Sequence, residues 1–117
     1  MVVDDDESVR YSMEHLLRDW GCECHAVESI EEALSLAREW APEVVISDYR
    51  LRNQRTGLEV IEALRAVTGR DLPALLITGD TAPERLREAA QSGLHVLHKP
   101  VRPAQLRALC NYLLTRS

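Results

Sequence analysis

Apolar positions along this chain switch between two periods. Val2-Val3, Val44-Val45-Ile46, Ala74-Leu75-Leu76-Ile77 and Val96-Leu97 are short unbroken apolar runs, the pattern of strands buried on both faces. Between them the spacing turns helical. Val9, Met13, Leu16, Leu17 and Trp20 predict a first helix, with Gly21 as its stop. Cys22, Cys24 and Ala26 alternate with Glu23 and His25, which predicts a half-buried edge strand. Ser29 and Glu32 form a capping box that opens a helix through Trp40, with Ile30, Ala33, Leu34 and Ala37 inward. Pro42 separates it from the third strand. A polar loop from Tyr49 to Thr56 leads to Gly57 and a helix with Leu58, Ile61, Leu64 and Ala66 or Val67 on its inner side. Gly69 and Pro73 bracket the turn into the fourth strand. Thr81 and Glu84 form another capping box, Pro83 suits a first helical turn, and Gly93 ends that helix. Pro103 opens the last helix, with Leu106, Leu109, Cys110, Leu113 and Leu114 at i, i+3, i+4, i+7 and i+8.

Strand and helix thus alternate five times. That implies parallel βαβ units with right-handed crossovers. The apolar runs of strands one, three, four and five suggest central positions, and the more polar strand two an edge. The order 2-1-3-4-5 fits. Residues 1–117 read as a single domain with no repeat and no internal linker. Only three residues precede an acidic cluster, so the expectation is a domain cut from a longer polypeptide.

Composition narrows the function. With 117 residues, 45% hydrophobic and 28% charged, the chain can bury a real core. Phe is absent, so aliphatic side chains must fill it. A net charge of −5 argues against nucleic-acid binding by this domain, because phosphate backbones require basic surface. No apolar stretch is long enough to span a bilayer and no signal-peptide pattern opens the chain. A cytoplasmic location without direct membrane contact is expected. The three cysteines lack framework spacing and read as reduced thiols.

The chemistry-bearing residues fall at strand ends. Asp4, Asp5 and Asp6 follow the first strand, and Asp48 ends the third. Thr78 ends the fourth, and Lys99 follows the fifth. In an open α/β sheet, ligands bind at the carboxyl edge of the strands. Clustered carboxylates repel one another and invite a hard divalent cation such as Mg2+. Acids, a hydroxyl and an ammonium on one rim suit a metal and a phosphoryl group.

The strings VVDDDESVR, VVISDYRL followed by TGLEVI, LLITGD and LHKPV occur in this order over nearly the whole chain. Together they resemble the receiver domain of two-component signalling proteins. The resemblance implies a flavodoxin-like (βα)5 three-layer sandwich with the strand order 2-1-3-4-5 of chemotaxis receivers. It implies that Asp48 is the phosphoryl acceptor, attacking phosphohistidine on a histidine kinase or phosphotransfer domain to give an aspartyl phosphate. It implies that Asp5, Asp48 and the backbone carbonyl of Arg50 bind Mg2+ directly and Asp4 through water. Lys99 would pair with a phosphoryl oxygen, or with Asp48 before modification. Thr78 would bond the phosphoryl group and act as the switch. The Lys99–Pro100 bond would be cis. Arg50 and Asp80, two residues after Asp48 and Thr78, would flank the path of attacking water and tune how long the phosphoryl group survives. The domain would catalyse its own phosphorylation and dephosphorylation and hold no ATP site. The stretches DYRLRNQRTGLEVI and LHVLHKPVRPAQLRAL look most like receivers at the C-terminus of hybrid sensor histidine kinases, so the parent chain is expected to be such a kinase.

Three positions depart from the family pattern. Arg52 replaces a proline usual four residues after the acceptor. The loop from Asp48 to Gly57 is one residue longer. Val96 stands where a switch Tyr or Phe is usual, so the aromatic rotamer change coupled to Thr78 cannot operate in its usual form.

Other readings compete. A degenerate receiver would be an interaction module independent of phosphorylation, but Asp4, Asp5, Asp48, Thr78 and Lys99 are all present. The Asp4-x-Asp6 pair also suits phosphatases of the haloacid dehalogenase type, which need a further acidic pair after the lysine; none follows Lys99. Cys22-x-Cys24-His25 is expected to pack rather than bind metal, because His25 points away from a face shared by the cysteines. His95 and His98 read as surface histidines, and Trp20 and Trp40 as core caps. Arg85, Arg87, Glu88, Arg102 and Arg107 read as a solvated face, which in receivers is also the partner surface.

Overall fold

The computed structural model describes residues 1–79 and 83–115, save the side chains of Pro83, Arg85, Leu86 and Ala89. Strands β1 (Val2–Val3), β2 (Ala26–Val27), β3 (Val45–Asp48), β4 (Ala74–Thr78) and β5 (His95–His98) form a parallel sheet in the order 2-1-3-4-5. Helices α1 (Glu7–Asp19), α2 (Ile30–Ala37), α3 (Gly57–Thr68), α4 (Pro83–Gln91) and α5 (Pro103–Thr115) connect and follow the strands. This is the parallel βαβ architecture that the alternation predicts, in the flavodoxin-like form that the resemblance implies.

The sheet separates two cores. One side gathers Val3, Val27, Ala33, Val45, Tyr49, Leu64 and Leu76 beneath α2 and α3. The other gathers Val2, Met13, Leu17, Ile46, Leu75, Leu106 and Leu113 beneath α1 and α5. Adjacent strand residues go to opposite sides, as the two-residue period requires. β3 and β4 are buried almost throughout, since both their faces are covered and both their edges paired.

Several boundaries differ from the expectation. β2 contains neither Cys22 nor Cys24. The Cys22 amide donates back to the Leu17 carbonyl at 3.0 Å, and Arg18 donates to the Cys24 carbonyl at 3.0 Å. Those groups are spent on closing α1 and cannot serve a ladder. α2 stops at Ala37, and tight turns carry the chain to Trp40, whose indole N–H donates to Glu23 at 2.8 Å. β5 is the second edge of the sheet rather than a central strand, with only Leu97 fully buried. On α3 the inward positions are Gly57, Val60, Ile61 and Leu64, while Ala66 and Val67 face solvent. Leu114 of α5 is likewise exposed.

Gly57 fixes how closely α3 approaches β3. A Cβ there would lie 2.5 Å from the Asp48 carbonyl oxygen, 2.7 Å from Leu76 Cδ2 and 2.9 Å from Ser47 Oγ. Two of those contacts are with β3 itself, so any larger residue would push the helix off the strand that ends in Asp48.

Candidate functional site

The carboxyl rim is assembled strand by strand. Asp48 is the last residue of β3, and its neighbours are pinned from β4: the Tyr49 amide donates to Ile77 O at 2.8 Å. The Lys99 amide donates to Thr78 O at 2.8 Å, holding the start of the β5–α5 loop against β4. The Lys99–Pro100 peptide is cis. Asp4 follows β1, and its amide donates to Val27 O at 3.0 Å. Three strand ends therefore converge at a level set by backbone register alone.

Asp4, Asp5 and Asp48 each offer a carboxylate oxygen, and these oxygens lie within 4.8 Å of one another. Lys99 Nζ stands 3.4 Å from Asp48 Oδ2 and 3.9 Å from Asp4 Oδ2. Asp48, Arg50, Thr78, Gly79 and Lys99 line an open pocket of about 290 Å³ above the rim. The side chains of Asp4 and Asp48 are only 4% and 11% exposed, so water does little to separate their charges.

Burial pushes the Asp48 carboxyl up to about 6, aided by the Asp4 charge and opposed by Lys99. Burial likewise raises Asp4, against the opposing pull of its bond from the Asp6 amide and of Lys99. The Lys99 ammonium thus faces two of three crowded carboxylates, Asp48 and Asp4. Such an all-oxygen donor set fits a hard divalent cation, which favours the ionised forms.

Asp6, the third residue of the acidic triplet, is not part of this set. It caps α1, accepting from the amides of Ser8 at 2.9 Å and Val9 at 3.3 Å and from the Ser8 hydroxyl at 2.8 Å. Its carboxyl is held below the usual range, first by the Ser8 hydroxyl. The Asp4-x-Asp6 motif therefore does not bring two acids onto one substrate. An aspartate directly before a helical run is the sequence signal for this role.

Three further contacts emerge only from the structure. Arg52 Nε lies 3.8 Å from Asp5 Oδ2. Tyr49 is buried beside Asp48, and its hydroxyl donates to Glu88 of α4 at 2.6 Å, across 39 residues of sequence. Glu88, expected on a merely solvated face, thus ties α4 to the residue after Asp48. Arg107 stacks on Trp20, 5.5 Å from the ring centroid, rather than standing free. Val96 packs at the margin of the core that contains Tyr49. Asp80 and Thr81 lie outside the described residues, as does the side chain of Arg85.

Over residues 1–111 the sequence matches the response regulator receiver domain family. The chain belongs to that family. It is 36% identical over 121 residues to the cyclic di-GMP phosphodiesterase response regulator RpfG of Xanthomonas campestris pv. campestris, covering 97% of this chain and 31% of that protein. It is 35% identical over 118 residues to the response regulator MprA of Mycolicibacterium vanbaalenii, covering 100% of this chain and 50% of that protein. The chain thus spans half or less of the length of these two relatives. Its fold superposes on chemotaxis protein CheY4 of Vibrio cholerae with a TM-score of 0.83 and 32% identity, over 97% of this chain and 95% of that one. The receiver domain of NtrX from Brucella abortus gives a TM-score of 0.86 at 26% identity, over 99% and 98%. Receiver domains bind Mg2+ at an acidic pocket and interact with histidine kinases or phosphotransfer proteins, and this chain has a cluster of three aspartates, Asp4, Asp5 and Asp48, at its carboxyl rim. No helix among the described residues is long and apolar enough to cross a membrane.

Proposed function

We propose that Asp48 is the phosphoryl acceptor of this receiver. The observation that carries the assignment is its place. Among the acids of the rim, Asp48 is the one nearest Lys99, at 3.4 Å, and it shares its pocket with Thr78. A carboxylate oxygen of Asp48 attacks the phosphorus of a phosphohistidine on a kinase or phosphotransfer domain. The new P–O bond forms as the P–N bond breaks, and the imidazole leaves. Lys99 passes from Asp48 to a phosphoryl oxygen, and the Thr78 hydroxyl bonds another. Asp5, Asp48 and the Arg50 carbonyl would hold Mg2+, with Asp4 acting through water. When bound, the cation supplies charge neutralisation for the equatorial phosphoryl oxygens. The aspartyl phosphate is then passed on or hydrolysed. Arg50, which lines the pocket, limits the approach of attacking water.

The wider setting is also proposed. The domain works in the cytoplasm and binds neither nucleic acid nor membrane directly, consistent with its net charge of −5. The parent is proposed to be a hybrid sensor histidine kinase with this receiver at its C-terminus, supported by the strings DYRLRNQRTGLEVI and LHVLHKPVRPAQLRAL. The relatives described above are response regulators, so the flanking sequence of the parent decides between the two contexts.

The acceptor is tested by intact mass after incubation with acetyl phosphate and Mg2+. The native domain gains one phosphoryl group and Asp48→Asn gains none. Uptake at native rate by Asp48→Asn refutes the assignment, and no uptake by the folded native domain favours a phosphorylation-independent module.

A further inference from the structure

We infer that Arg52 is a built-in counter-cation for Asp5 that competes with the divalent metal and so sets the domain's affinity for it. The inference rests on the proposed role of Asp5 as a metal ligand. Lys99 lies against Asp48 and Asp4, at 3.4 and 3.9 Å, whereas the cation against Asp5 is Arg52, with Nε 3.8 Å from Oδ2. The Asp5 side chain is 30% exposed and that of Arg52 68%, so the pair lies at the solvent-facing side of the cluster.

The backbone is shaped to put it there. Arg52 opens a 3₁₀ turn, Arg52–Gln54, in which Asn53 and Gln54 take left-handed φ values of 61° and 59°. Two successive non-glycine residues in that region are uncommon and persist only where the surroundings fix them. The surroundings here are a small hairpin. Leu51 N donates to Arg55 O at 2.9 Å, Arg50 bridges to Thr56, and Gly57 N donates to Tyr49 O at 2.9 Å. Arg55 is held in turn by Glu59, at 2.6 Å. The turn folds the longer loop back so that its first residue faces the acidic rim.

A guanidinium cannot act as a metal ligand and remains charged at any working pH. With a divalent ion on Asp5, two positive centres would face each other across one carboxylate. Metal binding therefore has to displace Arg52, and part of the metal's attraction to the rim is cancelled by the lost pair. A proline at this position, usual in the family, would exert no such competition.

The test is Mg2+ titration by calorimetry at about 0.15 M ionic strength, where charges beyond about 8 Å are largely screened. Arg52→Ala and Arg52→Gln should each tighten Mg2+ binding by about two- to fivefold, the range an exposed ion pair can supply. Arg55→Ala removes an equal charge from the same loop and should leave Mg2+ affinity unchanged within error. In an Asp5→Asn background, Arg52→Ala should give no gain. Equal gains from the Arg52 and Arg55 variants would reduce the effect to a general field and overturn the inference, as would unchanged or weaker binding in folded Arg52→Ala and Arg52→Gln. If Asp5→Asn binds Mg2+ as tightly as the native domain, the ligand assignment itself fails and the inference falls with it. Circular dichroism of each variant confirms the fold before titration.

Discussion

The two ends of the sheet bury ionisable groups to opposite effect. At the carboxyl end, Asp4 and Asp48 are withdrawn from water beside Asp5 and Lys99. At the other end, Cys22, Cys24 and Cys110 line a hollow of about 340 Å³ with Leu17, Trp40 and Val44. Desolvation is the leading cause at both ends. It raises Asp48 to about 6 and raises Asp4; it also raises Cys24 and takes Cys110 to about 11. The outcomes differ because of where the groups start and what faces them. A carboxyl raised to about 6 is still ionised at neutral pH, and Lys99 opposes the rise. A thiol raised to about 11 is neutral, and its charged form is out of reach. Among the described residues, the three acids are the group whose ligating atoms converge. Burial alone makes inert groups. Burial together with convergence and one opposing charge makes a site.

The largest expected contrast between the two ends is in metal binding. Asp5→Ala should weaken Mg2+ binding roughly a hundredfold, at or beyond the upper end of what even indirect metal partners contribute. It should also remove most of the rise in melting temperature that Mg2+ gives by mass action. Cys24→Ala should leave the Mg2+ response as it is. A full Mg2+-dependent shift in Asp5→Ala would break the comparison at the carboxyl end.

The thiol end makes the next prediction. With its thiol raised from 9.0 to about 11, Cys110 should hold about a hundredfold less thiolate at pH 8 than an unperturbed cysteine. Iodoacetamide labelling read by peptide mass should show Cys110 reacting at least that much more slowly in the folded domain than in urea. Equal rates in the two states would show that the hollow does not shield it.

The smallest of the three effects is on stability, and its sign is opposite to that of an ordinary salt-bridged acid. The Asp48 carboxyl titrates at about 6 in the fold against 3.8 ordinarily, so the folded state binds more protons between these values. In Mg2+-free buffer the contribution of Asp48 to stability is therefore full below about pH 4 and is lost as pH rises through about 6. Asp4 is raised too and acts in the same direction. Asp48→Asn should stabilise the metal-free domain at pH 7 by on the order of 2 kcal/mol in urea unfolding, with the gain shrinking toward pH 4. A variant less stable than the native domain at pH 7 would show that Lys99 outweighs desolvation at this carboxylate.

Much of this was legible in the chain. The unbroken apolar runs gave the strands, and the strand-end acids, Thr78 and Lys99 gave the rim, because a parallel sheet places every strand's C-terminus on one side. Short-range rules failed where side chains captured backbone groups from a neighbouring element. Arg18 and the closing turn of α1 withdrew Cys22 and Cys24 from β2. The acidic triplet is continuous in the chain, yet its third member, Asp6, serves the α1 N-terminus.

What the sequence by itself determined is what is carried by period and by strand end: the alternation of elements, and the placing of Asp4, Asp5, Asp48, Thr78 and Lys99 at the ends of parallel strands. These follow from local rules, since a two-residue or 3.6-residue repeat is written in adjacent positions. Only the tertiary structure decided which charges pair. Arg52 with Asp5, Lys99 with Asp48 and Asp4, and Tyr49 with Glu88 join residues far apart in the chain. Such pairings depend on loop paths and on angstrom-scale distances between packed elements. The same decision set how far each group is desolvated, and it gathered the buried carboxylates of one rim around one another and Lys99 while leaving the buried Cys24 and Cys110 without such a cluster.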